Sequence, residues 1–462
     1  MPRAISRLCV DSIGNSFVMT LLTARLAVSF PPFGHRFELM LHSNFRFLTL
    51  FGLASLVVWH SQLLSANDWP SWRGPHRSGI AIDETGLQSE WADDGPELKW
   101  QVDGLGRGYS SIAISDGRIF TMGKRKNGCE LIALDLNGGR ELWSTPVDGG
   151  NPNCTPTVDG GLVYALGREG HLIAADVVTG KIAWQKHFPK DFGGRMMSGW
   201  GYSESPLVDG DRLVCTPGAK DAVVVALNKK TGETIWKSKM PEDVGKRGKD
   251  GAGYSSIVVS HAQDVKQYIQ LTGRGVISLD AGDGSTLWTY NRIANGTANI
   301  PTPLVKGDSV FCSTGYGTGA ALLQIKKDGD RLVAEEKYFL DAKDMQNHHG
   351  GMIVYADHIY CGHGHNKGFP LCINFATGEE VWSGGRGPGS GSAAILLADG
   401  HLYFRYEDGT MALIEATPEE YRLKSSFKLA TQNGKSWPHP VIVDGLLYAR
   451  DQNALLCYDV RR

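Results

Sequence analysis

The sequence predicts an all-β fold, an eight-bladed β-propeller of four-stranded antiparallel blades. Three observations predict it: an eleven-residue phrase ending in tryptophan recurs at blade-sized intervals, an apolar hairpin precedes each copy, and the two chain ends complement one another. The phrases occupy 133–143, 174–184, 226–236, 278–288 and 372–382, and their last residues, Trp143, Trp184, Trp236, Trp288 and Trp382, are spaced by 41, 52, 52 and 94. The final interval is close to twice the others, so a degenerate copy is expected between them, and 322–338 supplies one that ends in Tyr338. Periods of this length mark propeller blades.

Each phrase reads as a hairpin: an apolar strand, a tight turn closed by Gly139, Gly180, Gly232, Gly284 or Gly378, then a short strand ending in the indole. Glycine suits a turn position that needs positive φ. The preceding hairpins span 110–123, 154–167, 205–218, 255–273, 302–315, 350–362, 392–406 and 439–450, often bent at Asp-Gly, which makes eight blades of two hairpins each. The eighth has only its third strand, 454–460, before the chain reaches Arg462; Leu98-Lys99-Trp100-Gln101-Val102 reads as its missing outer strand. The chain ends should therefore close the ring, removing free sheet edges. Trp100 joins the five other tryptophans as mortar between blades.

Residues 174–184 fit the phrase Ala-x-Asp-x-x-Thr-Gly-x-x-x-Trp in full. On these residues the chain, from about Trp69 to Arg462, resembles the pyrroloquinoline-quinone-type propeller family. The stretches Trp69-Pro70-Ser71-Trp72-Arg73-Gly74-Pro75 and Asn347-His348-His349-Gly350-Gly351 resemble its secreted branch. The resemblance implies the fold and leaves two activities open, because the family holds both quinone-dependent dehydrogenases and the non-catalytic scaffold of the outer-membrane protein assembly machine. In size the chain is most similar to that scaffold branch. A dehydrogenase of the family would hold pyrroloquinoline quinone with calcium over the central funnel. This sequence has neither the adjacent Cys-Cys pair of such enzymes nor a Cys-x-x-Cys-His haem site. The reading adopted is a binding or scaffold propeller with no cofactor. Its expected partner is a polypeptide or assembly-machine component, with an alcohol-type quinoprotein oxidoreductase and a carbohydrate-binding propeller as alternatives.

The formal charge is −2, and removing residues 1–66, with five basic and two acidic side chains, leaves −5, so nothing points to a nucleic-acid partner. An apolar stretch at 47–59 follows Arg46 and precedes Leu64-Ser65-Ala66, the pattern of a signal peptide. The expected organisation is an upstream translation artefact at 1–39, a signal peptide at 40–66, an N-terminal extension at 67–95 and one propeller at 96–462. A periplasmic or extracellular monomer without a transmembrane anchor follows. Seven cysteines remain after cleavage. Aligning second strands puts Ala165, Cys215, Cys312, Cys361 and Ala449 at one repeat position, which reads as a small buried site, while Cys361 and Cys372 flank a hairpin and are the one candidate cross-strand pair.

Functional groups belong on the face that carries the inter-blade loops and the links between second and third strands. Counting seven residues back from each first-hairpin turn places Tyr109, Pro152, Tyr202, Tyr254, Asn299, His348, Ser392 and Trp437 at the mouth of the innermost strands. Tyr109, Tyr202, Tyr254 and Trp437, with His439, are candidates for stacking a ligand or for packing on one another. Arg168, Arg274 and Arg450, with Arg405, end second strands on the same side and suit anionic ligands unless neighbouring carboxylates neutralise them. His348, His349, His363 and His365 lie in two loops of blade six and form the candidate metal set, although their spacing matches no known metal signature. No catalytic residue can be assigned.

Overall fold

In the computed structural model, which describes residues 68–462, eight four-stranded antiparallel sheets follow one another along the chain as an eight-bladed β-propeller. The predicted signal peptide and the segment before it lie outside the described residues. Blades one to seven span 113–148, 157–187, 207–237, 258–290, 304–341, 352–383 and 393–428, each running from innermost to outermost strand. Helix is confined, among the described residues, to Phe188–Phe192 and a single 3-10 turn at Ala262–Asp264, and no helix is long and apolar enough to cross a membrane.

Blade eight is built from both chain ends. Strand Glu97–Val102 pairs antiparallel with Ala454–Asp459, with Leu98 opposite Tyr458, Trp100 opposite Cys457 and Val102 opposite Leu455. The ring is sealed as the sequence predicts.

The mortar between blades has a specific form. Gly180, at φ 71°, brings its backbone against the indole of the preceding blade, where an added Cβ would lie 2.6 Å from Trp143; Gly232 meets Trp184 in the same way at 2.7 Å. The indole N–H then donates to a carbonyl of the following blade, Trp143 to Val177, Trp184 to Lys229 and Trp382 to Thr417. Glycine is required because any side chain would displace the ring. Tyr338, directly opposite Leu322, takes the tryptophan register in blade five and donates its hydroxyl to the Phe375 carbonyl. Blade five replaces the short glycine turn with a long hairpin, Gly319–Asp328 paired to Arg331–Asp341, so Trp288 has no such glycine to meet and donates within its own blade to Gln267. Blade seven carries Ser425 where the indole belongs. Trp91 of the N-terminal extension fills the gap, its backbone bonded to Ser425 and its ring 5.7 Å from Tyr403 and 5.2 Å from Phe427.

Two sequence expectations need adjustment. The Asp-Gly bends at 116–117, 399–400 and 444–445 form as read, but in blades two and three the aspartate stays on the strand and the turn falls on Gly160-Gly161 and Gly210-Asp211. Cys361 and Cys372 are both free and sit opposite Leu371 and Tyr360 respectively. They pack into different clusters, one with Phe311 and Met352, the other with Phe404 and Tyr406, which puts them on opposite faces of the sheet where no disulfide can form. The repeat position shared by Ala165, Cys215, Cys312, Cys361 and Ala449 is fully buried at every copy.

The N-terminal extension is the feature that the repeat does not announce. Residues 68–81 form a strap across the central channel. Trp69 exchanges backbone bonds with Ile114 of blade one, the Pro70 carbonyl accepts from Val158 of blade two, and Ile80–Ala81 runs parallel to Leu397 and Ala398 of blade seven. Two arginines fasten the rest. Arg73 donates to the Gly350 and Met352 carbonyls of blade six; Arg77 donates to Ile257 of blade four and to Ser205 and Pro206 of blade three. Innermost strands expose backbone acceptors to the channel, and buried acceptors need donors. The guanidinium fork, with five N–H groups, serves several at once. Burial pushes Arg73 down to about 9 and Arg77 to about 10, so both stay charged at neutral pH.

Candidate functional site: an aromatic cup at the channel mouth

The strap divides the channel into a lower groove, lined by the strap at Pro75 to Ser78 and by blades three to six, and an upper cavity of about 470 Å³ on the face of the inter-blade loops. Trp72 belongs to the upper cavity and floors it. Its ring meets His439 edge-on at 5.6 Å and lies 5.4 Å from the Arg73 guanidinium and 5.9 Å from that of Arg77. Cations flanking a ring fix its position.

Rings form an arc around the wall. Tyr109 stacks on Trp437 at 4.1 Å and 26°, Trp437 meets His349 at 4.2 Å, His349 meets His348 at 3.7 Å, His348 meets His365 at 4.1 Å, and His365 meets Tyr316 at 4.4 Å. Across the cup, Trp200 approaches Tyr254 edge-on at 5.9 Å; half of Trp200 is exposed, at 51%. Between the rings, Asn151, Asn153, Ser203 and Arg168 supply polar groups, with Lys435 at the opposite side. Among the described residues, no aspartate or glutamate lines the cavity.

The counting rule thus gathers Tyr109, Tyr254, His348 and Trp437 at one mouth, joined by His349, His439 and Arg168. It does not bring Tyr202 there. The short helix Phe188–Phe192 places Phe188 against the Tyr202 ring at 5.2 Å, and the hydroxyl donates to the Pro217 carbonyl at 3.0 Å, leaving the side chain 4% exposed. Arg274 lies outside the cup as well, paired to Asp250 at 2.7 Å. Arg450 is buried beneath blade one, where it donates to Thr121 and to the Gly106 and Gln452 carbonyls; Arg405 is buried near Asp451 at 3.7 Å. Arg168 alone of these arginines lines the cup: its guanidinium bonds the Gly199 carbonyl and, among the described residues, has no ion pair with a carboxylate. Trp72, Trp200 and Tyr316 belong to the cup and were missed, because they lie in the strap or in loops outside the repeat register.

Three of the four histidines named as metal candidates are hydrogen-bonded to protein groups. His348 holds Ser392 through Nδ1 at 2.7 Å and faces the Tyr316 hydroxyl through Nε2 at 3.3 Å; His363 Nδ1 accepts from the Gln346 amide at 3.2 Å. His365 Nδ1 accepts from the Tyr316 amide, while His349 Nδ1 is buried and unpartnered. Burial holds His348 and His439 down to about 3 and His349 well below its ordinary value, so the cup wall is neutral imidazole at physiological pH. The arrangement is a rigid, ring-walled, cation-bearing cup. It offers stacking surface and hydrogen-bond donors.

Calcium prefers carboxylate and carbonyl oxygens. A cup whose lining, among the described residues, carries no carboxylate does not fit pyrroloquinoline quinone held with calcium.

A family model described as outer membrane protein assembly factor BamB matches residues 80–191 and 130–384. The assembly factor BamB of Burkholderia pseudomallei (strain K96243) is 28% identical over 239 residues, which is 50% of this chain and 58% of that relative's length. Among solved structures, BamB from Moraxella catarrhalis superposes with a TM-score of 0.57 at 15% identity over 79% of this chain and 97% of that one. Quinohemoprotein alcohol dehydrogenase from Comamonas testosteroni does so with 0.59 at 14% identity over 86% and 81%. At such identities these structures speak to the fold alone. On the extent of the family match, the chain belongs to the propeller family whose model is described as outer membrane protein assembly factor BamB.

Proposed function

We propose that this chain is an exported, non-catalytic scaffold propeller that binds an extended polypeptide on the face bearing the cup. The observation that carries the reading is the cup itself: a preformed cavity walled by Tyr109, Tyr254, Trp200 and Trp437 and held open by hydrogen bonds rather than by a reactive constellation. Aromatic side chains give contact area at small entropic cost, which suits a polypeptide partner of varied sequence. Membership of a family described by outer-membrane protein assembly supports a periplasmic polypeptide as that partner.

The test is affinity for a fluorescently labelled, unfolded outer-membrane protein, using the chain from Asn67 onward. Changing Tyr109, Tyr254 and Trp437 together to alanine should weaken binding by more than about tenfold, as removal of interface anchors does, while the thermal transition shows that the ring persists. Unchanged affinity in the folded triple variant would remove the cup from the interface. Saturable binding of oligosaccharides in place of polypeptide would favour the carbohydrate alternative.

A further inference from the structure

We infer that the cup takes the end of a polypeptide, specifically a free C-terminal carboxylate with a planar side chain on the last residue. This rests on the polypeptide reading above and specifies which part of the chain is held.

The first ground is depth. Trp72 closes the floor, and the strap beneath it is fastened to blades one, two, three, four, six and seven. A strand cannot thread through without displacing that strap, so a chain that reaches the floor does so with its end.

Charge is the second ground, and it distinguishes one terminus from the other. The lining contains Arg168 and Lys435 and, among the described residues, no carboxylate. Lys435 has a partner in Glu407 at 3.5 Å, whereas Arg168 has only the Gly199 carbonyl, at 3.0 Å. Arg274, at the matching end of the second strand in blade four, is neutralised by Asp250. Arg168 is therefore a guanidinium left available beside a cavity, the arrangement that recognises a carboxylate through paired hydrogen bonds. An α-ammonium end would meet this cation with no counter-charge in the lining. Asn151 and Asn153 also line this cavity.

The third ground is shape. Tyr109 and Trp437 stack on one another, and Trp72 forms the base, so the walls are flat surfaces that accept a ring. Capture of a chain end by charge and donors, with a pocket for the last side chain, is a known mode of peptide recognition.

The experiment uses the chain from Asn67 onward and three decapeptides labelled with fluorescein at the N-terminus: one ending in phenylalanine with a free carboxylate, the same peptide amidated, and one ending in glycine with a free carboxylate. Fluorescence anisotropy should show the free phenylalanine end binding about tenfold more tightly than either other peptide, the scale of one charge-assisted interaction. Arg168→Gln should shrink the gap between acid and amide to less than about twofold, with circular dichroism confirming the fold. Lys435→Gln serves as the second variant and should shrink it less. Equal affinity for acid and amide overturns end capture while leaving the polypeptide reading intact; absence of saturable binding by any peptide or by unfolded outer-membrane protein overturns both.

Discussion

The rim and the axis of this propeller are stabilised by different means. At the rim one device repeats: a turn glycine flat against the preceding blade's indole, at Trp143, Trp184 and Trp236, with the indole N–H of the first two reaching the following blade. At the axis nothing repeats. One strap of fourteen residues, 68–81, answers the innermost strands of six blades with four kinds of group: a backbone bridge, a proline carbonyl, a two-residue parallel strand and two arginine forks. The rim can be nearly uniform because most blades present it with the same neighbour, the exceptions being the long hairpin of blade five and Ser425 of blade seven. The axis cannot, since a single strand must meet each blade at a different height and angle. The proposed binding site belongs to the non-repeating part, where Trp72 and the mouth rings make a cup that no single blade specifies.

The contrast can be broken most severely at ring closure. Removing 454–462 deletes the strand that Glu97–Val102 pairs with, leaving two open sheet edges. Differential scanning calorimetry should show loss of the cooperative transition; a truncated chain that still melts cooperatively near the wild-type temperature contradicts a sealed ring. Next is the rim device. Trp236 is 8% exposed, so Trp236→Ala should cost about 3–5 kcal/mol in denaturant unfolding. Gly232→Ala, which puts a methyl 2.7 Å from Trp184 at φ 73°, should cost about 1–3 kcal/mol. A loss below about 0.5 kcal/mol for both, the level of ordinary surface substitutions, would show that the indole–glycine contact is incidental.

At the axis, Arg73→Met keeps an unbranched apolar stem and removes the guanidinium donors. It strips Gly350 and Met352 of their partner and should cost about 1–3 kcal/mol for the buried acceptors left unpaired. The smallest expected effect is the pH response of the cup. Burial holds His348 and His439 near 3 and His349 far down, whereas an unfolded histidine titrates at about 6.5. The unfolded chain therefore binds protons that the native cup refuses. The stability contributed by these side chains is full above about pH 6.5 and is lost as the pH falls toward 3. Glu204, pushed up to about 8 by burial, works in the other sense: its contribution is full below the ordinary carboxyl range, about 4.3, and is lost as pH rises through 8. With three histidines against it, the melting temperature should fall between pH 7 and pH 5, and Glu204→Gln should steepen that fall. A melting temperature that rises on acidification contradicts the neutral imidazoles.

The same contrast explains what the sequence disclosed. Blade number, closure by Trp100 and the stand-in role of Tyr338 were legible because a repeat tests itself: each copy shows where the others must turn. Counting along that register also found Tyr109, Tyr254, His348 and Trp437. It failed at Tyr202, where the loop helix Phe188–Phe192 turns a mouth-position ring inward, and at Arg274 and Arg450, whose partners Asp250 and Thr121 come from other loops and strands. The strap was out of reach for a related reason. Trp69 to Pro75 stood out as a motif, but a segment with no second copy carries no internal indication of which surface it covers. Trp91 shows the limit well, since its place in blade seven follows only from the vacancy at Ser425.

The central claim is that the strap is part of the propeller's core and closes the channel. Native-state hydrogen exchange resolved to single amides tests it most directly, at Ile114, Val158 and Leu397, which donate to Trp69, Pro70 and Gly79 of the strap. These amides should exchange only with global unfolding, as slowly as amides in the second and third strands of the same blades. Exchange within seconds at those three positions, while the second strands stay protected, would mean that the strap is not docked and that the cup has no floor.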